Sequence, residues 1–378
     1  MKAQILRRVE DRWIGFVLSQ LLWKRFGDYN LSAGRVQTPV LGWIIQRADE
    51  FKRKKKVAYA PQLGLTFEEL EGEQKQLRVE ISLIEERQEK RLPLPPYTTD
   101  EMLRDANRIM HLSSNVAMKL AQDLFESGLI TYHRTDSTHV SDVGLRIAKE
   151  FLGEEFAGRH WSTAEGAHEC IRPTRPWDRF TLQRMIYEGV VPVEGLTAEH
   201  FALYDMIFRR YMSSQCREFE VKIKKYLLKF LDKEKIIERI VDAKGRALEL
   251  YRSVVIDKEL PEGVFDVELE YRIVPSAYPY TQADVIKLMK ERAIGRPSTY
   301  ATIIDKLFRR KYVTERKRLL FPTIVGRKVF EFLEKNYGNF VSEERTRLLL
   351  KMMDDVERRA ANYEDMIRDV YEEIKRIG

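Results

Sequence analysis

Apolar side chains at Trp13, Phe16, Val17, Leu21 and Leu22 recur near helical spacing, which predicts an amphipathic helix over residues 9–24. A loop with Gly27, Asp28 and Asn30 follows, and VQTPVLGWIIQRADE predicts a second helix over 36–50 with LSAGR at its mouth. A basic run from Phe51 to Lys56 closes this block. From Val57 the pattern turns to alternation: QLGLTFEEL and QLRVEISLIEE predict strands ending at a proline-rich joint, Leu92 to Pro96. KIKKYLLKFL, ALELYRSVVI and FDVELEYRIV predict a second strand-rich stretch, from about Val221 to Val274. The segment between, residues 96–215, is mostly helical in pattern. A chain that leaves a β layer, builds a helical domain and returns to β predicts a domain inserted on an arm. Residues 276–378 return to helices, and DDVERRAANYEDMIRDVYEEIKRIG reads as a solvated amphipathic helix pair.

One internal similarity stands out. Tyr97-Thr98 opens a unit of helix, turn, helix and LITY ending at Tyr132; Tyr280-Thr281 opens another that closes on KYV at Val313. Ser113 or Ser114 is placed to cap a helix whose apolar face includes Val116, Leu120 and Leu124, with Gly128 closing it. Ser298 is placed to cap a helix carrying Ile303, Ile304 and Leu307. Each unit resembles a winged helix-turn-helix, a common DNA-binding build; the alternative is two unrelated helical hairpins in a core.

Composition narrows the setting. Of 378 residues, 44% are apolar and 33% charged, enough for a real core and too charged for a membrane protein. There is no run of about 18 apolar residues and the charged start MKAQILRRVEDRW is no signal peptide, which argues against secretion and membrane insertion. Cys170 and Cys216 lie far apart without Cys-x-x-Cys spacing, against a disulfide scaffold or zinc ribbon and in keeping with a reducing cytoplasm. Lys and Arg number 66 against 59 Asp and Glu, a net +7 that suits a polyanion partner. A charge-rich surface of the hyperthermophile kind, laced with ion pairs, is the competing account.

Four clusters could carry chemistry. In GLITYHRTDS a short apolar strand delivers Tyr132, followed at once by His133, Arg134, Thr135, Asp136 and Ser137. Tyr132 and Arg134 are two apart, on one face of an extended chain, so a guanidinium could hold a phosphate beside the phenol oxygen. A phenol attacking a phosphodiester needs such help, since its ordinary pKa is about 10 and charge grows on the phosphoryl oxygens. A strand tyrosine before a polar turn would look the same. In AHECIRPT, His168 and Arg172 fall on one face if the segment is helical, and both can bind phosphate. The His–Glu neighbours could instead be a structural pair or half a metal site, but no partner stands at zinc spacing, so no metal is assigned. In LSAGRVQT, Gly34 allows close backbone approach, and Ser32, Arg35 and Gln37 supply donors near a helix start. In GRPSTY, Arg296 and Ser298 stand at a capped helix N-terminus.

LSAGRVQT, LITYHRTDS, AHECIRPT and IGRPSTYATII, in this order over nearly the whole chain, resemble the type IA DNA topoisomerases. QTPVLGWI and EGAHECIRPTRP are most similar to the topoisomerase half of reverse gyrases, hyperthermophile enzymes that introduce positive supercoils. The resemblance implies a gated toroid in which a tyrosine attacks a backbone phosphate, leaving a 5′-phosphotyrosyl link while another strand passes. By motif match Tyr132 is the nucleophile and Arg134 steadies the scissile phosphate. His168, Arg172, Asp136 and Ser137 contact DNA near the cut, and Ser32, Arg35, Gln37, Arg296 and Ser298 line a single-strand groove. The implied fold is multidomain α+β, a toroid without the Toprim domain. It has a helical groove domain (1–56 and 276–378), a β arch (57–95 and 216–275) and a winged-helix-like tyrosine domain (96–215).

Departures qualify the match. His133 stands where many relatives have Met, and Cys170 where many have Ala. The sequence has no Asp-x-Asp cluster of a Toprim domain and no Gly-x-x-x-x-Gly-Lys-[Ser/Thr] phosphate loop. The expectation is therefore the small subunit of a split reverse gyrase, or a fragment of a single-chain one. Mg2+ would sit on a Toprim-bearing partner and ATP would be used by its helicase. The rival expectations are a non-cleaving DNA-binding module and an ordinary relaxing topoisomerase fragment.

Overall fold

The computed structural model describes residues 2–68, 70, 74–162 and 168–357, with 364, 368, 371, 372 and 375 beyond them. Helices α1 (Lys2–Phe26) and α2 (Gln37–Lys52) lead into strands β1 (Lys54–Ala60), β2 (Leu65–Phe67) and β3 (Gln76–Arg91). Helices α3 (Thr99–Ile109), α4 (Ser114–Glu126), α5 (Asp142–Leu152), α6 (Arg179–Tyr187) and α7 (Ala198–Ser214) follow. Then come β4 (Phe219–Phe230), β5 (Lys233–Lys244), the short α8 (Arg246–Leu250), β6 (Gly263–Glu268) and β7 (Glu270–Pro275). The chain continues through α9 (Gln282–Glu291), α10 (Tyr300–Arg309), β8 (Val313–Arg316), β9 (Leu319–Pro322), α11 (Ile324–Val341) and α12 (Glu343–Glu357). These elements form two compact units, one of residues 1–52, 100–119 and 277–378, the other of 53–99 and 120–276. Most of the predicted C-terminal helix pair lies outside the described residues.

The first unit is built on helical faces. In α1, Ile14, Leu18 and Leu22 are buried at four-residue intervals, a single stripe. The helix ends at Gly27, whose left-handed φ of +68° turns its N–H onto the Trp23 carbonyl. In α2, Pro39 sits in the first turn, where its missing N–H costs nothing, and Val40, Leu41, Ile44 and Ala48 face inward. Helix α9 opens with a capping box: the Asp284 carboxylate accepts from the Thr281 N–H at 2.8 Å, and the Asp284 N–H donates to the Thr281 hydroxyl at 3.1 Å. Helix α10 buries Ile303, Ile304 and Leu307 as its pattern predicts. Its cap is Thr299 and not Ser298: the Thr299 hydroxyl accepts from the Arg296 N–H at 3.0 Å, while Ser298 is exposed.

The antiparallel pair β8–β9 then closes on Lys317 and Arg318, both at positive φ as a tight hairpin requires. The earlier pair α3–α4 has the same punctuation. His111 and Gly128 are left-handed there, as Ala293 and Lys311 are around α10. Ser113 caps α4 through the Val116 N–H, although Val116 itself is exposed rather than part of the apolar face.

The second unit holds the two larger sheets and helices α5 to α8. Strands pair antiparallel in the orders β2-β1-β7 and β5-β4-β3-β6. Ala58, Phe67, Leu77, Val79, Ile81, Tyr226, Leu228, Phe230 and Val267 form one core, with the Phe67 and Phe230 rings 4.9 Å apart. Along β3 burial gives way after Leu83 to exposed charge, and cross-strand ion pairs such as Glu86–Lys222 at 2.9 Å dress the outer ribbon. Helix α7 is the pillar of the helical part, with Leu203, Tyr204, Ile207, Phe208, Tyr211 and Met212 all buried.

Two strand expectations change here. ALELYRSVVI is no strand: Ala247 to Leu250 coil into α8 after Gly245, whose φ of +148° breaks the preceding strand. Strand β5, which the hydropathy pattern missed, is KEKIIERIVDAK; its faces mix isoleucines with charges because the ribbon is solvated.

Candidate functional site

The Tyr132 segment is not a strand. Only an isolated bridge, Ile130 to Pro173, is formed before the chain bends. Hydrogen bonds from two threonines hold the segment in place. The Thr131 hydroxyl donates to the Cys170 carbonyl at 2.6 Å and accepts from the Arg172 N–H at 2.9 Å. On the far side the Thr99 hydroxyl donates to the His133 carbonyl at 2.7 Å and accepts from the Thr135 N–H at 2.8 Å. Stapled at both ends, the segment alternates: His133 and Thr135 are buried, and Tyr132, Arg134 and Asp136 are exposed. The two-residue period expected for a strand therefore survives without the strand.

Tyr132 is 39% exposed and stands among rings. Its ring centroid lies 5.3 Å from Phe125, 5.5 Å from His133 and 6.0 Å from His168. His133 is fully buried, and burial, with the neighbouring Arg134 charge, pulls its pKa down to about 4. It is a neutral imidazole at working pH, and its Nε2 accepts from Arg134 Nε at 3.3 Å. The Arg134 Nη2 donates to Gln122 Oε1 at 3.3 Å. Ser137 accepts at its hydroxyl from the His139 N–H at 3.0 Å, in a turn that also uses the Thr135 hydroxyl.

The AHECIRPT segment, whose Ala167 lies outside the described residues, is not helical from His168 on, so the helical-face argument for His168 and Arg172 does not hold. They part company in environment. His168 is exposed beside Tyr132, whereas Arg172 is buried with its Nε on Glu169 Oε1 at 2.6 Å and Nη2 on Oε2 at 2.8 Å. The Glu169 carboxylate also accepts from the Ser141 N–H and hydroxyl, at the cap of α5. Burial raises its pKa, but the bonds from Arg172 and Ser141 outweigh that and hold it below the usual carboxylate range.

The other predicted residues lie in the first unit. Arg35 and Gln37 are buried, Ser32 and Arg296 half-buried, and Ser298 exposed. The LSAGR loop is fastened by Tyr312, whose hydroxyl accepts from the Ser32 N–H at 2.8 Å and donates to its carbonyl at 2.9 Å. The Thr346 hydroxyl donates to the Arg35 carbonyl at 2.9 Å, and Gln37 reaches the Ser32 carbonyl at 3.5 Å. Gln122, Ser141 and Tyr312 are the participants that sequence reading missed, and Glu169, weighed there only as a neighbour of His168, pairs with Arg172 instead. Each is an ordinary residue in an ordinary place, made relevant only by contacts distant in the chain.

Tyr132, Arg134 and His168 are all exposed, and a phenol, a guanidinium and an imidazole are groups suited to a phosphodiester. The chain matches the DNA topoisomerase family over residues 1–76 and 62–368, and it belongs to that family, in its type IA branch. It is 48% identical to reverse gyrase from Pyrococcus furiosus and 45% identical to that from Pyrobaculum aerophilum; each match takes in all of this chain and 32% of the relative. The structure of full-length topoisomerase I from Thermotoga maritima, 28% identical, superposes with a TM-score of 0.78 over all of this chain and 68% of that one. The chain thus spans about a third of the length of the reverse gyrases it matches. No helix among the described residues is long and apolar enough to cross a membrane.

Proposed function

We propose that this chain carries the strand-cleaving tyrosine of a reverse gyrase. Tyr132 Oη attacks a backbone phosphate of a single-stranded segment. A phosphorus–tyrosine bond forms as the bond to the 3′ oxygen breaks; the phenol gives up its proton and the departing oxygen takes one up. Reversal reseals the strand without ATP. Arg134 stabilises the charge gathering on the phosphoryl oxygens, where a guanidinium is most effective. The observation that carries this reading is the half-exposed Tyr132 ring, seated between Phe125, His133 and His168 with Arg134 exposed two residues on.

His168, Asp136 and Ser137 would meet DNA at the cut, with Arg172 setting the loop from beneath. Ser32, Arg35, Gln37, Arg296 and Ser298 would shape the single-strand groove of a helical domain, 1–56 with 276–378. The sheets of 57–95 and 216–275 would be the arch, and α3–α4 and α9–α10 the cores of winged-helix-like domains. The described residues offer no group of three His, Cys, Asp or Glu that fits a metal. Mg2+ would be held by a Toprim-bearing partner and ATP used by its helicase. The threefold greater length of the matched reverse gyrases supports such a partner.

Plasmid topology tests the proposal. The chain with a helicase-Toprim partner, Mg2+ and ATP is expected to give positive supercoils, and Tyr132→Phe none. Relaxation alone would favour an ordinary topoisomerase, and no change in linking number a DNA-binding module.

A further inference from the structure

The Arg134 side chain is held along one edge. A guanidinium presents its Nε–H and one Nη2–H side by side, and both are engaged: His133 Nε2 accepts the first at 3.3 Å and Gln122 Oε1 the second at 3.3 Å. Neither acceptor is adventitious. Gln122 donates its amide nitrogen to Glu126 Oε1 at 2.6 Å, one turn along α4, which fixes its oxygen toward Arg134. The His133 imidazole is fully buried against Phe125 and Tyr132, so it cannot rotate away, and a neutral ring keeps its Nε2 lone pair. Its other nitrogen, Nδ1, is buried without a hydrogen-bond partner. A buried polar atom left unmatched has a cost, offset here by an acceptor delivered to the arginine. The second guanidinium edge, with one proton on Nη1 and one on Nη2, is the one that matches two phosphate oxygens.

We propose that Gln122 and His133 are positioning residues for strand cleavage, clamping the side-on edge of Arg134 so that its end-on edge meets the phosphate at Tyr132. This rests on the reading of Tyr132 and Arg134 as the cleavage pair. Neither residue touches the reacting atoms; both act through Arg134. An unclamped arginine on an exposed turn would sample many rotamers and lose part of its binding to ordering entropy.

The test uses the full chain and a fluorescent single-stranded oligonucleotide, with affinity measured across a salt series. Arg134→Ala should weaken binding and lower the magnitude of the salt slope by about 0.7, one phosphate's share. Gln122→Ala with His133→Phe should weaken binding about five- to tenfold while Arg134 is present. Added to Arg134→Ala, the same pair should cost nothing further, a coupling that a general structural role would not produce. Gln122→Ala alone, half-exposed on its helix, tests the clamp without touching the core and should show the same coupling to Arg134. Undiminished affinity in both clamp variants, or an equal loss with and without Arg134, overturns the proposal. If Arg134→Ala itself binds like the wild type in affinity and slope, the cleavage-pair reading fails first.

Discussion

Glu169 takes two nitrogens of the buried Arg172 guanidinium, Nε at 2.6 Å and Nη2 at 2.8 Å, while its Oε1 also accepts from Ser141 at the start of α5. The residue beside His168 is thereby tied to a helix N-terminus, where a carboxylate is favoured. The relationship makes Glu169 the strut that fixes where His168 stands against Tyr132.

Replacing that strut should be costly. Glu169→Gln leaves Arg172 buried without a charged partner, and unfolding in denaturant should show a loss of about 3 kcal/mol. The pH dependence has a sign. The folded carboxyl lies below its unfolded value, so its contribution is present above the unfolded pKa and disappears as pH falls through the folded one. The variant should lack that part of the acid limb. An unchanged midpoint and an unchanged acid limb would contradict the strut.

His133 acts with the same sign in a higher pH window. Its pKa falls from 6.5 to about 4 on folding, so between those values the unfolded chain binds a proton that the folded one refuses. Stability should decline as pH drops from about 6.5 to about 4, and His133→Phe should flatten that decline. Thermal unfolding at stepped pH measures it; parallel curves for both proteins would show that the ring is not held neutral.

Tyr312 is a third lever. Burial pushes its phenol up to about 12, and its hydroxyl satisfies both backbone groups of Ser32. Tyr312→Phe leaves the Ser32 N–H unmatched and its carbonyl with only the long bond from Gln37 at 3.5 Å, which should cost about 1–3 kcal/mol. Oligonucleotide affinity should fall several-fold if Ser32, Arg35 and Gln37 line the groove, and fluorescence anisotropy reads this directly.

Much of the architecture was legible because hydrophobic period survives burial. The face of α10 and the inner halves of β3 and β4 follow their letters, whereas α1 is a helix as expected but buries Ile14, Leu18 and Leu22, leaving the expected Phe16 exposed and Trp13, Val17 and Leu21 only half-buried. Strand β5 was hidden because a ribbon with both faces wet has no apolar face to reveal it. The valines and isoleucine after Tyr251 suggested a strand, but Ala247 to Leu250 are helix formers and prevailed locally. At the site, a polar cluster behind an apolar stretch draws notice to Tyr132 and Arg134, but it is the family resemblance that implies their roles. Gln122 was not legible, since a glutamine on a helix has no local signature, and Glu169 stood out only as the neighbour of His168, not as the partner of Arg172 and Ser141. Their roles come from partners that only folding brings near.

The most direct test of the central claim is chemical. The chain, assembled with a Toprim-bearing partner and a single-stranded substrate, is denatured in mid-reaction, digested with nuclease and protease, and its peptides weighed. The account predicts a nucleotide joined through phosphate to the peptide containing Tyr132, absent from Tyr132→Phe. An adduct on a different tyrosine, one that persists in Tyr132→Phe, or none from the wild type would contradict it.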